Sequence, residues 1–557
     1  MALKSALKVT LLSLFISCSI LFDLHSQNEN KLHSTADVLE GGVKDGVSFK
    51  KLIGNVVFTQ GQTTIYCDSA LAYDKTNSME AFGRVRIEDM QDSVNITSDR
   101  LNYDGDGRTA KLRGNVVYVD DSIRLNTENL DYDMLNKSAV YFDGGTIFSG
   151  VNTITSKKGN YDTEGKLMIF TDSVEMVTPD YTLQTNNLVY NMITKIAKSS
   201  SETKITTKEG RVLMSKQGSE FDTSKNTSVF MMGEVNTDKY YLRGDELYFD
   251  NVTGSYEAKG NVYLHAKEDD VIITGQQANF WQDQGRALIV GEPLLKKPLN
   301  EDTLYLRADT LISINDSLET NKRLLAYPHV KIYKADVQGK ADSLAYLLSD
   351  SLMVFYRDPI LWNEGSQITA DTIEITVKNG TIDQLRAKTG AFIISQDSTT
   401  NFNQVKGRQM IAYFIGKSVD FVNVTGNGES IYFVADDEDV QKFIGMNKIA
   451  CSNMKIAFAE NQVNDILFFT KPDGSFTPPH ELKEEDTKLE GFSWRIDERP
   501  TRGELLTSPA ELERVRQEHE KFIQENLPEL NDGSKDEEGI LEKPESDKDA
   551  AMKPENQ

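Results

Sequence analysis

The chain has 557 residues, and its 86 Asp and Glu outnumber 61 Lys and Arg to leave a formal charge of −25. Phosphate contacts need Lys and Arg, so this acidity, with no basic patch, excludes nucleic acid as a partner. Any lipid ligand would be held mainly by its apolar part. The length would suit about three or four ordinary domains, but a repeat protein grows by adding units rather than by enlarging one core.

Lys4 and Lys8 precede an apolar stretch from Val9 to Phe22, and polar residues follow from His25. That pattern predicts a secretory signal peptide over residues 1–26, cut after Ser26. The apolar run is too short to cross a bilayer comfortably. Cys18, preceded by Phe15-Ile16-Ser17, leaves a lipid-anchored N-terminus as the alternative.

Two short signatures then recur. The first is Gly with Val two residues later: Gly54-Asn55-Val56, Gly83-Arg84-Val85, Gly114-Asn115-Val116, Gly233-Glu234-Val235 and Gly260-Asn261-Val262. Degenerate copies stand at Asp172-Ser173-Val174, Gly291-Glu292-Pro293, Pro328-His329-Val330, Asp358-Pro359-Ile360 and Gly426-Asn427-Gly428. The second signature is a polar pair with a Leu-x-Tyr-Asp-like tail. It runs through Asp68 to Asp74, Ser98 to Asp104, Glu128 to Asp133, Asn186 to Tyr190 and Asp245 to Asp250. It returns at Ala308 to Leu311, Ala341 to Tyr346 and Ala370 to Ile373. Roughly a dozen units of about 30 residues result, the period of a repeat architecture. Repeats are expected over 40–300, with more divergent ones over 301–475 and a weak point from Pro293 to Asn300.

The units read as strands, because Val, Ile, Tyr, Phe and Thr dominate and apolar residues alternate. Residues two apart on a strand share a face. One apolar face is therefore predicted from Leu71 with Tyr73, Leu101 with Tyr103, Leu130 with Tyr132, and Leu247 with Phe249. The first signature contributes Val56 with Phe58, Val85 with Ile87, Val116 with Tyr118, and Val262 with Leu264. Two sheets with their apolar faces turned together follow. Cys67 and Cys451 lie in the first and last repeats. A disulfide needs Cα atoms within about 7 Å, so no internal bridge is expected, and Cys67 reads as a small buried apolar residue.

Pro472, Pro478 and Pro479 end the strand pattern, so residues 476–557 read as a linker, a helix and a tail. Ser508-Pro509-Ala510-Glu511 predicts a helix over about 508–526, with Ser as cap and Pro at the first position. From Pro528 the chain is acidic and without aromatics, which predicts disorder.

The alternation of Gly-Asn-Val with Ala-Asp-x-Leu-x-Tyr-Asp resembles the OstA family, which includes LptA, the periplasmic region of LptC and the N-terminal region of LptD. The resemblance spans residues 50–470 and is clearest from Gly54 to Tyr190. It implies an all-β fold, an extended repeat-built β-jellyroll or β-taco solenoid of antiparallel strands. It also implies a periplasmic or outer-membrane-associated scaffold that holds lipopolysaccharide acyl chains inside the sandwich. Related envelope proteins, joined by edge-strand pairing, are the implied partners. The long stack, the helix and the acidic tail depart from the family pattern.

Patterning does not separate an open lipid groove from a closed core, since both use the same residue types. A closed structural or adhesive envelope protein is therefore the second reading. Asp104-Gly105-Asp106-Gly107 is the nearest thing to a calcium loop, but Asp and Gly also make ordinary turns. The six histidines show no metal-ligand spacing, and no nucleophile elbow or phosphate-cradling loop occurs. No cofactor, metal, nucleotide or enzymatic role is expected. A carboxylate pair acting on polysaccharide is the remote alternative. The ends of the stack are predicted either to recruit other strands or to be capped.

Overall fold

The computed structural model describes residues 31–507 and Gln517, apart from 45, 300–301, 316–321, 364, 379–380, 398–400, 417, 437–441 and 460–461. The expected signal peptide, the helix expected over about 508–526 and the acidic tail thus lie outside the described residues, save Gln517. The described residues up to Leu506 form one compact unit, and everything below concerns it.

The fold is all-β. Among the described residues, forty strands run from His33–Thr35 to Asp473–Thr477, joined by antiparallel pairing. The long strands are paired in two stretches. Val47–Gln60 meets Thr63–Tyr73 first through Lys50 to Ile53 and again through Val56 to Gln60. Between the stretches the ladder breaks at Gly54-Asn55, where φ is +79° and +42°. The ladder breaks again between Phe82 and Val85 and between Arg113 and Val116. Two successive left-handed residues bend the strand sharply, so each strand contributes one half to each of two facing arms. Every copy of the first signature named above carries a left-handed residue at this fold line, the degenerate ones included, except Gly233-Glu234-Val235, where the left-handed residue is Met232 just before it.

The second signature supplies the other half of the fold line. Asn55 donates to Asp37 (2.9 Å), Arg84 to Asp68 (2.6 Å), Asn115 to Asp99 (2.8 Å) and Asn261 to Asp245 (2.9 Å). His329 with Asp309 and Arg357 with Asp342 repeat the contact farther on. Gly83 and Gly114 are required on two grounds. Each has φ above +70°, and a Cβ there would come 2.5–2.6 Å from the Oδ2 of Asp68 or Asp99.

The arms differ in what they turn inward. On one, the aliphatic arm, register partners follow one another as Phe58, Ile65, Ile87, Ile96, Tyr118, Leu125 and Ile147. The row runs on, strand by strand, through Leu242, Leu306 and Leu361 to Val405. On the other, the tyrosine arm, large and small alternate: Met79, Tyr103, Ala110, Tyr132, Ala139, Tyr161. The arms interdigitate, with the Tyr118 ring 5.9 Å from Tyr132 and 6.3 Å from Tyr161, edge to face. One continuous core from Leu52 to Ile456 results. It crosses the weak repeat, since Leu294–Pro298 pairs with strands on both sides.

The segment read from sequence as a linker is a packed strap. After Thr477 the chain passes through short turns at Pro479–Glu481, Glu484–Thr487 and Ile496–Glu498 to the helix Arg502–Leu506. It runs back along the outer face of the aliphatic arm. Gln404, fully buried, donates to the Thr487 carbonyl (2.7 Å) and accepts from the Leu489 amide (2.8 Å). Gln367 does the same for Ser493 and Arg495, both at 2.7 Å. Gln338 takes the Arg499 guanidinium at 2.7 Å. Between these glutamines Leu489 joins Phe392, Ile394, Ile431, Phe433 and Met446, and Leu505 joins Leu294 and Tyr305. The strap thus closes a second core on the side of the arm away from the first.

Candidate functional site

Fourteen of the sixteen residues predicted for the apolar interior belong to the inner core or pack against it. Val56, Phe58, Val85, Ile87, Leu101, Tyr103, Val116, Tyr118, Leu130, Tyr132, Leu247 and Val262 are buried, while Phe249 and Leu264 are half-buried against them. Leu71 and Tyr73 are the exceptions. In that strand Ala70 and Ala72 are buried, and Tyr73 sits outside with its hydroxyl 3.3 Å from Glu80. The reason is phase. The fold-line Asp sets which residues turn inward, two and four positions later: Leu101 and Tyr103 after Asp99, but Ala70 and Ala72 after Asp68. Counting from the Leu-x-Tyr-Asp tail instead slips the strand by one residue and reverses its faces.

Opposite the fold line the hairpin tips of the two arms form a mouth. Over the first repeats this mouth is shut by polar bridges that reach across 41 to 46 residues of sequence. Gln60 donates to the Gly105 carbonyl (2.8 Å) and accepts from the Tyr103 hydroxyl (2.6 Å). Arg108 donates to Thr63 (2.9 Å), and Lys137 pairs with Asp92. Asp120 accepts from Tyr161 (2.9 Å) and lies 3.5 Å from Lys166, with its side chain 3% exposed. Burial pushes the Tyr103 phenol up to about 12 and raises those of Tyr118, Tyr132 and Tyr161 further. These hydroxyls stay protonated, and those of Tyr103, Tyr118 and Tyr161 serve as donors at the rim. The buried Tyr132 hydroxyl finds no partner. Sequence reasoning missed Gln60, Asp92, Asp120 and Lys166, which sit at strand ends and in turns where polar residues carry no periodic signal.

A hollow of about 560 Å³ lies elsewhere, at the fold line among Asn115, Glu128, Asp143, Lys157 and Ser173. It is open, and Val116 of the inner core is part of its lining. No group of three or more His, Cys, Asp or Glu side chains among the described residues is placed to hold a metal. The Asp104 loop is an ordinary turn, its carboxylate accepting from the Asp106 and Gly107 amides. Cys67 and Cys451 are both buried, and burial lifts the Cys67 thiol to about 11.

Both ends of the stack carry strands paired on one side. Val38–Lys44 meets Val47–Gln60, and Gln462–Phe469 and Asp473–Thr477 meet Phe443–Ala459. Their exposed apolar residues include Leu39, Val43, Leu467, Phe469 and Phe476. No described helix is long and apolar enough to cross a membrane.

Residues 32–186 match the family described as OstA-like protein. No curated protein matches the chain. Among solved structures, one that matches is LptH of Pseudomonas aeruginosa. It is described as the LptA homologous periplasmic component of a lipopolysaccharide transport device. It is 12% identical, over 27% of this chain and 81% of LptH, with a TM-score of 0.14, a level that carries no argument for function. Residues 32–186 of this chain are thus an OstA-like region.

Proposed function

We propose that the protein is an exported, passive envelope scaffold that carries lipopolysaccharide or a related lipid inside its folded sheet. One observation carries the reading: an inward row of apolar side chains, interrupted at Gly339, passes from strand to strand from Phe58 to Val405, within a chain whose first repeats are OstA-like. Acyl chains lying along such a row would leave water, at about 25 cal/mol per Å² of apolar surface. The work of movement would come from an energised partner. The one-sided end strands suit pairing with related envelope proteins, and the periplasm is the compartment this role needs.

A closed structural scaffold is the second reading, favoured by the first repeats, where Phe58, Ile87 and Leu101 are at most 1% exposed and the mouth is bridged. Photo-crosslinking in cells separates the two. A photoreactive residue replaces Leu242, Phe249 or Tyr132, with outward-facing Asp104 as the control. Lipopolysaccharide adducts at inward positions and none at Asp104 support carriage. Full-length, folded protein with no adduct at any inward position leaves the closed scaffold.

A further inference from the structure

The outer face of the tyrosine arm changes character along the chain. Its outward register partners read Glu80, Asn102, Lys111 and Asp131 over the first repeats. Farther on the same row reads Leu288, Ile312, Leu325, Ala345 and Val354, bounded by Asn279 on one side and Glu374 on the other. These five strands are apolar on their inward side too, where Ile289, Leu311, Ala326, Leu344 and Phe355 belong to the inner core. Apolar residues on both faces mark a sheet that is covered on both faces. On the aliphatic arm the cover is the strap. On the tyrosine arm no described segment supplies one. Leu288, Ile312, Ile314, Leu325 and Val354 belong neither to the inner core nor to the cores beneath the strap.

Extent and charge say what fits this face. Five strands about 4.8 Å apart, with three outward residues each, span roughly 24 by 20 Å. Two such faces together reach the roughly 1,000 Å² that a specific interface needs, and one sheet face packs well on another. Among the outward residues of these strands the charged ones are Arg286 and Arg323, both exposed and both on the side of the hairpin tips. The Arg286 guanidinium lies over the Trp281 ring at 5.3 Å. The neighbouring tips add Lys322 against Asp283 and Asp350. The opposite margin, at the fold line, carries Glu292, Asp309, Asp342 and Asp358 against His329 and Arg357. A two-fold axis along the stack lays each copy's tip margin over the other's fold line, so that Arg286 and Arg323 meet acids. An axis along the strands would set arginine over arginine. The face therefore complements itself in one orientation.

We propose that the outer face of the tyrosine arm from Arg286 to Tyr356 is an interface between two copies of this chain, packed sheet on sheet with their stacks pointing the same way. The pairing is independent of what the interior carries. It uses a face of the arm, and the strands at the two ends of each stack stay free.

The test follows the purified full-length chain by sedimentation velocity over a range of concentrations. A reversible dimer is expected. Leu325→Glu, at the centre of the face, is expected to weaken it by about tenfold or more in Kd, which is about 1.4 kcal/mol or more. Arg323→Glu, at an exposed position, is expected to weaken it several-fold with thermal melting unchanged, and it stands in should Leu325→Glu impair folding. Ala345→Cys with a short bis-maleimide should give a covalent dimer, because the central row lies along the axis. The parent chain, whose Cys67 and Cys451 are buried, and Asp104→Cys, at a tip outside the face, should not. A chain that is monomeric at every concentration, or a dimer that both charge variants leave intact, overturns the proposal. Equal cross-linking at Ala345 and Asp104 does the same. So does a monomer that floats with vesicles of phosphatidylethanolamine and phosphatidylglycerol until Leu325→Glu releases it, since the face then meets a membrane.

Discussion

The first repeats and the last are built on the same fold line but treat their outer faces in opposite ways. On the aliphatic arm near the start, outward register partners are Thr59, Thr64, Glu88 and Asn95, facing water. The equivalent row near the end reads Gln338, Trp362, Gln367, Ile394, Gln404 and Ile431, all buried beneath the strap. A sheet with one wet face alternates in sequence, whereas a sheet covered on both faces becomes continuously apolar. Ile360-Leu361-Trp362 and Phe392-Ile393-Ile394 are such runs. The divergence of the later repeats is thus the imprint of a second core rather than decay of the first.

The sharpest way to break this contrast is to remove the strap. A chain ending at Thr477 is expected to expose Trp362, Ile394 and Ile431, each worth about 1.5–3 kcal/mol of burial. Hydrogen exchange should then show the strands from residue 330 onward losing protection while those from 50 to 170 keep theirs. Equal loss in both halves would mean that the strap supports the whole stack. A second pair of changes tests the phase set by the fold-line Asp. Leu101→Ala should cost about 2–5 kcal/mol in denaturant melts, as for a buried leucine elsewhere. Leu71→Ala should cost about 1 kcal/mol or less, although sequence places the two leucines in equivalent positions.

A smaller effect isolates the glutamine clamps. Gln404→Met keeps the volume but leaves the Thr487 carbonyl and the Leu489 amide unpaired, a loss of about 1–3 kcal/mol. It should show as faster exchange at Leu489 and not at Leu101. The smallest effect is electrostatic and confined to the strap. Hydrogen bonds from Arg495 and Lys340 pull the Glu498 carboxyl down to about 2 from its ordinary 4.5. A lowered carboxyl stabilises the fold fully above its unfolded value and loses that contribution as pH falls toward its folded one. Between pH 4.5 and 2 the strap should therefore loosen. Trp494, whose ring lies 5.2 Å from Phe402, would report this as a fluorescence change. Glu498→Gln should flatten that change.

How far the sequence revealed the molecule depends on which forces wrote the pattern. The two signatures at the fold line were legible because they recur, but their meaning was not: Gly and Asn read as the start of a strand, whereas Gly54-Asn55 bends one strand in its middle and Asp37 of the neighbour holds the bend. The inward rows were legible for the same reason, except where the strand of Leu71 was counted from its Tyr-Asp tail. The mouth was not, since Gln60, Asp92 and Asp120 act across 41 to 46 residues from strand ends and turns, where polar residues carry no periodic signal. Nor was the strap. Its apolar contacts, Leu482, Leu489, Phe492, Trp494 and Leu505, fall at irregular intervals among acidic residues, without helix or strand period. The available hint was a glutamine inside an otherwise apolar outward row, at Gln338, Gln367 and Gln404.

The strap also gives this chain an order in time. Repeats that contact only their neighbours can fold as they emerge. The first repeats need nothing beyond residue 190 or so to close their single core, and they can do so while the rest of the chain is still being made or exported. The last repeats cannot finish. Their outer face waits for Leu489, Phe492 and Leu505, which arrive after every strand is already in place. The final residues to be ordered are those that return past the strands made before them, so assembly begins as a process that could continue without limit and ends by turning back on itself.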